Sequence, residues 1–308
     1  IAAFDDLDAV QTFAKSCDVL SYEFENIPLA TIDHASQFCQ VYPDVHALKT
    51  SQDRLLEKTF LRDTARIPVV PFFPIESLSA LRRAANNLGY PVILKTRRFG
   101  YDGKGQIALK DVYDLKSGFA RLGGTDLIAE GYAPFRREFS IIAVRGQNGQ
   151  IKTYPLTENV HKDHRLHTSI APANDPQNIG KKAHEITTTI LEALDYVGVI
   201  GVEFFELPGG EILVNEIAPR VHNSGHWTMD AGCTSQFENH IRAICGLPLG
   251  DTTPTHKVRM TNLIGNDIQQ AQTLASQENT FVHDYHKAEI RPGRKMGHVN
   301  RIYPEGNV

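Results

Sequence analysis

The chain has 308 residues, of which 41% are hydrophobic and 22% charged, and its formal net charge is -4. This length can bury a large core, and the composition is that of a soluble globular protein of two or three domains. The slightly negative charge provides no field that would attract a nucleic acid. The sequence also contains no apolar run of membrane-spanning length and no recognisable signal peptide.

Four cysteines are widely spaced and form no C-x-x-C pair: Cys17, Cys39, Cys233 and Cys245. This spacing indicates reduced, mostly buried thiols in a cytoplasmic protein. Ile1 is not an initiator methionine, which is compatible with a start inside a longer chain.

The first predicted elements form a β-α-β unit of the doubly wound type, with strands at 18–24 and 39–42 and a helix at 29–38. A sheet of this size is marginal on its own. The spacing of apolar residues next predicts an amphipathic helix at 51–64, with its charged residues on the opposite side. The proline-rich stretch 67–74 predicts a linker between domains.

Two further regions follow. The region 71–132 is predicted to contain a helix, a strand, a glycine-rich loop and a closing strand, at 77–88, 91–95, 100–105 and 126–130. The last region is predicted to contain two strands, a helix, a hairpin and a second helix, at 138–144, 151–156, 181–194, 199–217 and 237–245.

The predicted hairpin carries two carboxylates. A two-residue turn at Gly209 and Gly210 would place Glu203 directly opposite Glu216, with side chains on one face. Two unscreened carboxylates repel each other, and a shared divalent cation resolves the conflict. Oxygen-only ligands favour Mg²⁺, which also binds phosphate oxygens. The alternative is a solvated sheet face, or a one-residue slip that puts the two side chains on opposite faces.

A glycine-rich loop follows the strand that ends at Lys95. Its glycines at 100, 103 and 105 allow backbone N–H groups to surround a phosphate that Lys95 could also reach. The loop matches neither the Walker motif nor the dinucleotide fingerprint. A hairpin turn with solvated lysines explains the pattern about as well. Asp102 would repel phosphate, so it indicates contact with some other group.

Several polar residues follow the second carboxylate within a short distance: Arg220, His222, Asn223, Ser224 and His226. A loop with so many donors after a metal-binding strand fits the capture of a phosphorylated substrate, and the alternative is a polar surface loop. Arg291, Arg294 and Lys295 form a second basic cluster. His161, His164 and His167 have no acidic or cysteine partner in sequence, so we expect a strand and loop there and not a metal site. There is no G-x-S-x-G nucleophile motif.

Five segments together resemble the ATP-grasp superfamily and, within it, the N5-carboxyaminoimidazole ribonucleotide synthetases: GYDGKGQ at 100–106, YPLTEN at 154–159, NEIAPRVHNSGHWT at 215–228, SQFE at 235–238 and RPGRKMGH at 291–298. The resemblance implies α/β and α+β architecture, namely an ATP-grasp fold with a partial doubly wound N-terminal (pre-ATP-grasp) domain. The implied boundaries are 1–70 for that domain and its linker, 71–133 for the lid domain and 134–308 for the catalytic domain with the C-terminal segment.

The resemblance implies an ATP-dependent carbon–nitrogen ligase of purine (IMP) biosynthesis, with Mg²⁺ as cofactor. It would convert ATP, bicarbonate and 5-aminoimidazole ribonucleotide into N5-carboxyaminoimidazole ribonucleotide, ADP and phosphate through carboxyphosphate. A cytoplasmic homodimer is implied, without nucleic acid or membrane partners. One alternative is a ligase like the formate-dependent glycinamide ribonucleotide transformylase, which should lack the NSGH stretch before Trp227. A second alternative is a non-catalytic nucleotide-binding fragment, against which the retention of Lys95, Glu203 and Glu216 argues.

Residue roles follow from the resemblance by position. The metal ligands would be Glu203 and Glu216. The nucleotide would be bound by Arg54, Lys95, Gly100, Tyr101, Asp102, Gly103, Lys104, Gly105, Gln106, Glu130, Gly131, Tyr132, Ala133, Glu138, His161, Asn215 and Glu216. The ribonucleotide substrate would be bound by Tyr101, Asp102, Lys104, Arg220, His222, Asn223, Ser224, Lys287 and Arg294. The catalytic residues among these would be Lys95, Asp102, Lys104, Arg220 and His222.

The sequence departs from the family pattern at three places. The family's N-terminal G-G-G-Q-L-G-R-M strand, turn and helix are not present in this sequence. Phe99 stands where a second lid glycine is common. Lys104 replaces a frequent arginine, which keeps the charge but loses the bidentate fork.

Overall fold

The computed structural model of the protein describes residues 1–100, 103–175 and 177–303. The N-terminal part is a small α/β unit of α1 (Leu7–Ala14), β1 (Val19–Leu20), α2 (Leu29–Ala35) and β2 (Gln40–Val41). The two strands pair in parallel, as the predicted β-α-β connection requires. Each strand is shorter than predicted, and helix α1 was missed. None of the four cysteines is buried, so the expectation of mostly buried thiols was wrong.

The helix predicted at 51–64 is confirmed from Arg54 to Thr64 and wrong at its start, because the helical conformation is interrupted at residues 52 and 53. The chain forms α3 (Val45–Ser51), α4 (Arg54–Thr59) and a π-helical turn (Phe60–Thr64). Asp53 is extended, with φ -126°, and its carboxylate accepts hydrogen bonds from the N–H groups of Leu55 and Leu56. An aspartate in this position is a strong N-cap, so it starts a new helix there.

The segment predicted as a linker, 67–74, pairs with strands of two different sheets. Val69 forms a parallel bridge to Val214, and Pro68 O accepts a hydrogen bond from Val214 N at 3.0 Å. The same segment then enters β3 (Phe72–Ile75).

The second region is a four-stranded antiparallel sheet with the order β3-β6-β4-β5. It contains, in chain order, α5 (Leu78–Leu88), β4 (Val92–Thr96), β5 (Gln106–Leu109), α6 (Asp114–Arg121) and β6 (Leu127–Gly131). The predicted helix, strand and closing strand are confirmed. Both helices cover one face of the sheet, because alternate apolar residues such as Val92 and Leu94 point to that face and are buried against Leu81 and Leu115.

The third region is a sheet that has nine strands in the described part of the chain. They are β7 (Arg137–Arg145), β8 (Ile151–Thr153), β9 (Thr157–Lys162), β10 (Arg165–Ala171), β11 (Gly198–Glu206), β12 (Ile212–Ala218), β13 (Lys257–Ile264), β14 (Thr280–Asp284) and β15 (Lys295–Tyr303). Their order is β12-β11-β7-β9-β10-β13-β15-β14, with β8 on β7. Strand β12 therefore lies at an edge of this sheet.

Helices cover both faces of the large sheet. They are α7 (Ile179–Ala193), α8 (Gln236–Ile244), α9 (Ala271–Ala275) and two 3-10 helices (Asn223–Met229 and Gly265–Gln270). One apolar cluster includes Ile190 of α7 and Val202 of β11, and a second includes Ala243 of α8 and the fully buried Trp227. The residues that continue from β12 are therefore fixed by a packed core.

Candidate active site

The carboxylate hairpin has the predicted pairing of Glu203 with Glu216, but not the predicted turn. The turn spans three residues between Leu207 and Glu211, and Gly210 takes the positive φ of 78°. This shifts the register by one residue. A β-bulge between β11 and β12 shifts it back, so that Glu203 again faces Glu216.

The two carboxylates form an electrostatically unfavourable pair. Burial, followed by the nearby Glu216 carboxylate, raises the pKa of Glu203 to about 7. Asn215 Nδ2 lies 3.4 Å from Glu203 Oε2, and His222 Nε2 lies 3.5 Å from Glu203 Oε1. In the described residues, no cluster of three or more histidine, cysteine or acidic side chains could enclose a metal. Two carboxylates with open remaining positions fit Mg²⁺, which retains waters and binds phosphate oxygens.

Helix α4 contacts the backbone on both sides of Glu216. Glu57 Oε1 accepts a hydrogen bond from Ile217 N at 2.5 Å, and Lys58 Nζ donates one to Asn215 O at 2.8 Å. Glu57 is 3% exposed and Lys58 1% exposed. The prediction that the charged residues of this helix face solvent is therefore wrong for both. Burial, followed by the Glu216 carboxylate, raises the pKa of Glu57 to about 8.

Lys95 forms a buried ion pair. Its Nζ lies 2.8 Å from Glu130 Oε2, and Lys58 Nζ lies 4.0 Å from the same oxygen. Burial raises the pKa of the Glu130 carboxyl, but the two lysines outweigh it and hold the pKa below its usual value. The Glu130 backbone lies between β3 and β4, and Gly131 N donates to Pro71 O. Of the residues expected to bind the nucleotide, Tyr132 and Ala133 follow the end of this strand.

The glycine-rich loop at 100–106 corresponds to the lid that the resemblance implies over ATP, and the residues that begin α4 hold its start at 96–100, which we call the lid base. Arg54 donates to Thr96 O at 3.0 Å and to Gly100 O at 3.1 Å. Asp53 forms a bidentate ion pair with Arg97, with a shortest distance of 2.7 Å. A Cβ at Gly100 would lie 2.5 Å from Arg54 Nη1, so a larger residue there would displace the end of the Arg54 side chain.

The rest of the predicted lid is described only in part, since Tyr101 and Asp102 lie outside the described residues. Gly103 and Gly105 have φ values of 77° and 71°, which favour glycine, and Gln106 pairs with Lys95 on the neighbouring strand. Lys104 is exposed. Phe99 also lies in the left-handed region, with φ 61°. This strained backbone explains why glycine suits the position.

The nucleotide histidine expected at His161 contacts Glu138. Its Nδ1 lies 2.8 Å from Glu138 Oε2. Burial lowers the pKa of His161, but the Glu138 contact outweighs it and raises the pKa above its usual value. His164 lies in the turn between β9 and β10 against Gly103, and His167 Nδ1 bonds with Thr168 Oγ1 at 2.9 Å.

The polar segment after β12 is ordered by side-chain contacts. Arg220 pairs with Glu25 at 2.9 Å, and His222 Nδ1 lies 2.8 Å from Ser224 Oγ. Asn223 exchanges two hydrogen bonds with Asn262. Ser224 is fully buried and accepts a hydrogen bond from Ser140. Direct contact of Ser224 with a substrate stays a prediction.

The C-terminal basic residues add to the positive charge near His222. Burial lowers the pKa of His222 well below its usual value, and Arg220 and Lys295 lower it further. Lys287 Nζ donates to Lys295 O at 2.7 Å, and Arg294 donates to Glu289 O at 3.1 Å. Burial, followed by Arg294 and Lys295, lowers the pKa of Lys287. These side chains supply the local basic residues that an anionic substrate requires.

A cavity of about 80 Å³ lies where three parts of the chain meet. It is lined by residues of the N-terminal unit, the lid base and the end of β12, including Glu25, Arg54, Gly100, Glu216 and Arg220. A larger cavity of about 330 Å³ lies on the C-terminal strands and is lined by none of the predicted site residues. The smaller cavity therefore marks the candidate active site.

A cluster of histidines lies beside the polar segment 220–226, and its central member, His298, is fully buried. His298 stacks on His283 with ring centroids 4.5 Å apart and lies 5.0 Å from His226. Its Nδ1 bonds with Tyr285, and its Nε2 has no partner in the described part of the chain. Burial, followed by the neighbouring histidines, lowers the pKa of His298 to about 2. Burial, followed by Lys295, lowers that of His226 to about 3.

We expect the free energy of unfolding to fall as the pH falls below about 6.5, because the unfolded chain then binds protons that these buried histidines do not. The loss can reach ~1.4 kcal/mol per pH unit for each histidine. Urea unfolding at about pH 7, 6 and 5 would measure it. The variant His298→Gln should show a shallower slope, whereas His286→Gln, at a side chain 88% exposed, should not. An unchanged slope in His298→Gln would contradict the prediction.

Comparison with known proteins first gives the class. The family model for the ATP-grasp domain matches residues 60–237, and the chain is an ATP-grasp protein. The ribonucleotide synthetase preATP-grasp domain matches residues 1–52, and the phosphoribosylaminoimidazole carboxylase C-terminal domain matches residues 259–306. The fold class predicted from the sequence is confirmed, including the pre-ATP-grasp domain.

Individual relatives give the family. The N5-carboxyaminoimidazole ribonucleotide synthase of Brucella melitensis is 45% identical, over 99% of this chain and 84% of that protein. The Thermus thermophilus synthetase structure is 42% identical with a TM-score of 0.91, over 98% and 82%. An Aspergillus clavatus synthase in complex with ADP and 5-aminoimidazole ribonucleotide is 31% identical with a TM-score of 0.91, over 98% and 81%. The chain belongs to the N5-carboxyaminoimidazole ribonucleotide synthase family, and its members are ATP-dependent ligases.

Among the described helices, none combines the length and the apolar character that crossing a bilayer requires.

Proposed function

We propose that the protein couples ATP hydrolysis to the carboxylation of 5-aminoimidazole ribonucleotide by bicarbonate, in de novo purine synthesis. The products are N5-carboxyaminoimidazole ribonucleotide, ADP and phosphate. The observation that carries this proposal is the pairing of Glu203 with Glu216 directly before the polar segment at Arg220 and His222. A site for a metal nucleotide thereby adjoins a site for an anionic substrate.

The nucleotide side of the site would use the residues at the lid base and on the metal strand. Glu203 and Glu216 would hold Mg²⁺, which when bound neutralises charge on the transferring phosphoryl group. Lys95 and Arg54 would contact the phosphates, and Arg54 would have to leave the Thr96 and Gly100 carbonyls to do so. Residues 130–133 would hold adenine, while Glu138 and His161 would lie at the ribose.

The ribonucleotide side would use the basic residues around His222. Arg220, Lys287 and Arg294 can bind a phosphate as cations, and Arg294 can do so bidentately. Asn223, Ser224, Tyr101 and Lys104 complete the proposed set. Asp102 would accept a hydrogen bond from the substrate amine, which gives this carboxylate a role other than phosphate contact.

The proposed reaction proceeds in three steps. A bicarbonate oxygen bonds to the γ-phosphorus of ATP while the bond to the ADP oxygen breaks, which gives carboxyphosphate. Carboxyphosphate then releases phosphate and carbon dioxide, and the substrate amine attacks the carbon of carbon dioxide and passes a proton to the released phosphate. Positive charge from Lys95 stabilises the phosphoryl transfer. Water would destroy carboxyphosphate, so the lid must close during the reaction.

Phosphate release from ATP tests the proposal. We expect release only when 5-aminoimidazole ribonucleotide and bicarbonate are both present. Turnover without them, or stimulation by formate with glycinamide ribonucleotide, would contradict the assignment. Nucleotide binding without turnover under any of these conditions would favour a non-catalytic module.

We also infer a cytoplasmic homodimer from the family resemblance. Light scattering of the purified protein should give twice the mass of the chain, and a fluorescent fusion should distribute through the cytoplasm. A monomeric mass at micromolar concentration would contradict the homodimer.

A further inference from the structure

The β-bulge in β12 determines which way Glu216 points. Near the turn, Phe204 pairs with Val214 and Glu206 with Ile212. If that register continued, Glu203 would face Asn215 and Glu216 would face Val202. A one-residue shift moves a side chain to the other face of a sheet. Glu216 therefore shares a face with Glu203 only because the bulge inserts one residue.

The bulge lies on the edge strand, where backbone groups need partners other than a neighbouring strand. Two consecutive residues of α4 supply them. Lys58 Nζ bonds to Asn215 O, directly before Glu216, and Glu57 Oε1 bonds to Ile217 N, directly after it. Both side chains are almost fully buried, so neither hydrogen bond can be replaced by bulk water.

We propose that Glu57 and Lys58 are positioning residues that hold the bulge and so keep Glu216 opposite Glu203 for a divalent cation. The proposal rests on the proposed function, because it assigns the cation to these carboxylates. We call this pair of contacts the α4 clasp. Neither residue of the clasp needs to touch the cation. Partners one step removed from a metal typically change its affinity by about 10- to 100-fold.

Substitutions at Glu57 show whether cation affinity depends on the hydrogen bond to Ile217 N or on the charge of the Glu57 side chain. Glu57→Gln cannot ionise at any pH but keeps the Oε1 acceptor for Ile217 N. Glu57→Asp keeps an ionisable carboxyl but is shorter by one methylene and cannot reach the same atom. The clasp predicts near-normal cation affinity in Glu57→Gln and weaker affinity in Glu57→Asp, whereas a charge effect predicts the reverse order.

The experiment is a Mn²⁺ titration, followed by electron paramagnetic resonance, of the whole chain with a non-hydrolysable ATP analogue. We expect the Mn²⁺ dissociation constant to rise by about 10- to 100-fold in Glu57→Asp and Lys58→Met. It should change by less than about 3-fold in Glu57→Gln and in Leu56→Ala, a control at an exposed residue of the same helix. Circular dichroism would confirm folding, and Glu57→Asp decides the question if Lys58→Met does not fold. Unchanged affinity in folded Glu57→Asp, or the reverse order of Asp and Gln, would overturn the clasp.

Turnover of the wild type is measured separately. A wild type that binds Mn²⁺ with the nucleotide but does not use bicarbonate and 5-aminoimidazole ribonucleotide would contradict the proposed function. In that case the order of the Glu57 variants would still decide the clasp. A wild type that turns over normally, with unchanged Mn²⁺ affinity in Glu57→Asp, would overturn the clasp alone.

Discussion

Replacing Glu216 with alanine is expected to lower ATP turnover by at least about 1,000-fold, because a bound metal supplies several kcal/mol of transition-state stabilisation. Glu216 is the exposed member of the carboxylate pair, and its removal leaves Glu203 alone on that face. Phosphate release in the presence of bicarbonate and 5-aminoimidazole ribonucleotide would measure the loss. Excess Mg²⁺ should restore little activity, since one of the two protein ligands is gone.

The stability of Glu216→Ala should be equal to or slightly above that of the wild type. The substitution removes the carboxylate whose repulsion helps to raise the pKa of Glu203. An exposed side chain such as that of Glu216 also contributes little packing. Thermal unfolding would check this. Glu211→Ala is the matched control, because Glu211 is an exposed glutamate in the same hairpin, at the turn. Equal turnover in the two variants would remove the argument for a metal site on this hairpin.

Replacing Lys95 with methionine should lower kcat by about 100- to 1,000-fold, the usual cost of losing one donor that stabilises developing charge. Methionine has a similar length and keeps the packing of the aliphatic stem. Steady-state kinetics would show whether kcat falls more than KM for ATP rises. A change confined to KM would mean that Lys95 contributes only to ground-state binding.

Lys95→Met also removes the nearest partner of the buried Glu130 carboxylate. Lys58 remains within 4.0 Å, so we expect a loss of stability smaller than the ~3–5 kcal/mol of a buried charge left entirely unpaired. Lys110→Met, at an exposed lysine after β5, is the control. Similar kcat values in the two variants would contradict the assignment of Lys95.

The hairpin shows how far local sequence could predict this site. The pairing of Glu203 with Glu216 was predicted from a two-residue turn. It is present because the register shift caused by a three-residue turn is cancelled by the shift at a β-bulge. The glycine pair indicates a turn but does not by itself determine its length. The bulge depends on contacts with α4, which lies about 160 residues away in sequence.

The burial of Glu57 and Lys58 in α4 could not be predicted from the sequence for a related reason. Periodicity identified the helix and its apolar residues, but Glu57 and Lys58 are buried by partners that are backbone atoms of a distant strand. A backbone group carries no signal of its own in the sequence. The polar segment at Arg220 and His222 was predictable because its donors are close together and directly follow a strand.

Helix α4 also connects two parts of the site. Asp53 caps its N-terminus and holds the lid base through Arg97, and the clasp, four and five residues further along, holds β12. Coupling free energy is reciprocal, so a ligand that orders either end of the helix must favour order at the other by the same amount. Cation binding at Glu216 should therefore reduce amide exchange at Arg97, on the other side of the cavity that both residues line. The six residues of α4 would thereby couple order at the lid base to cation binding at Glu216, so that the two sites respond together.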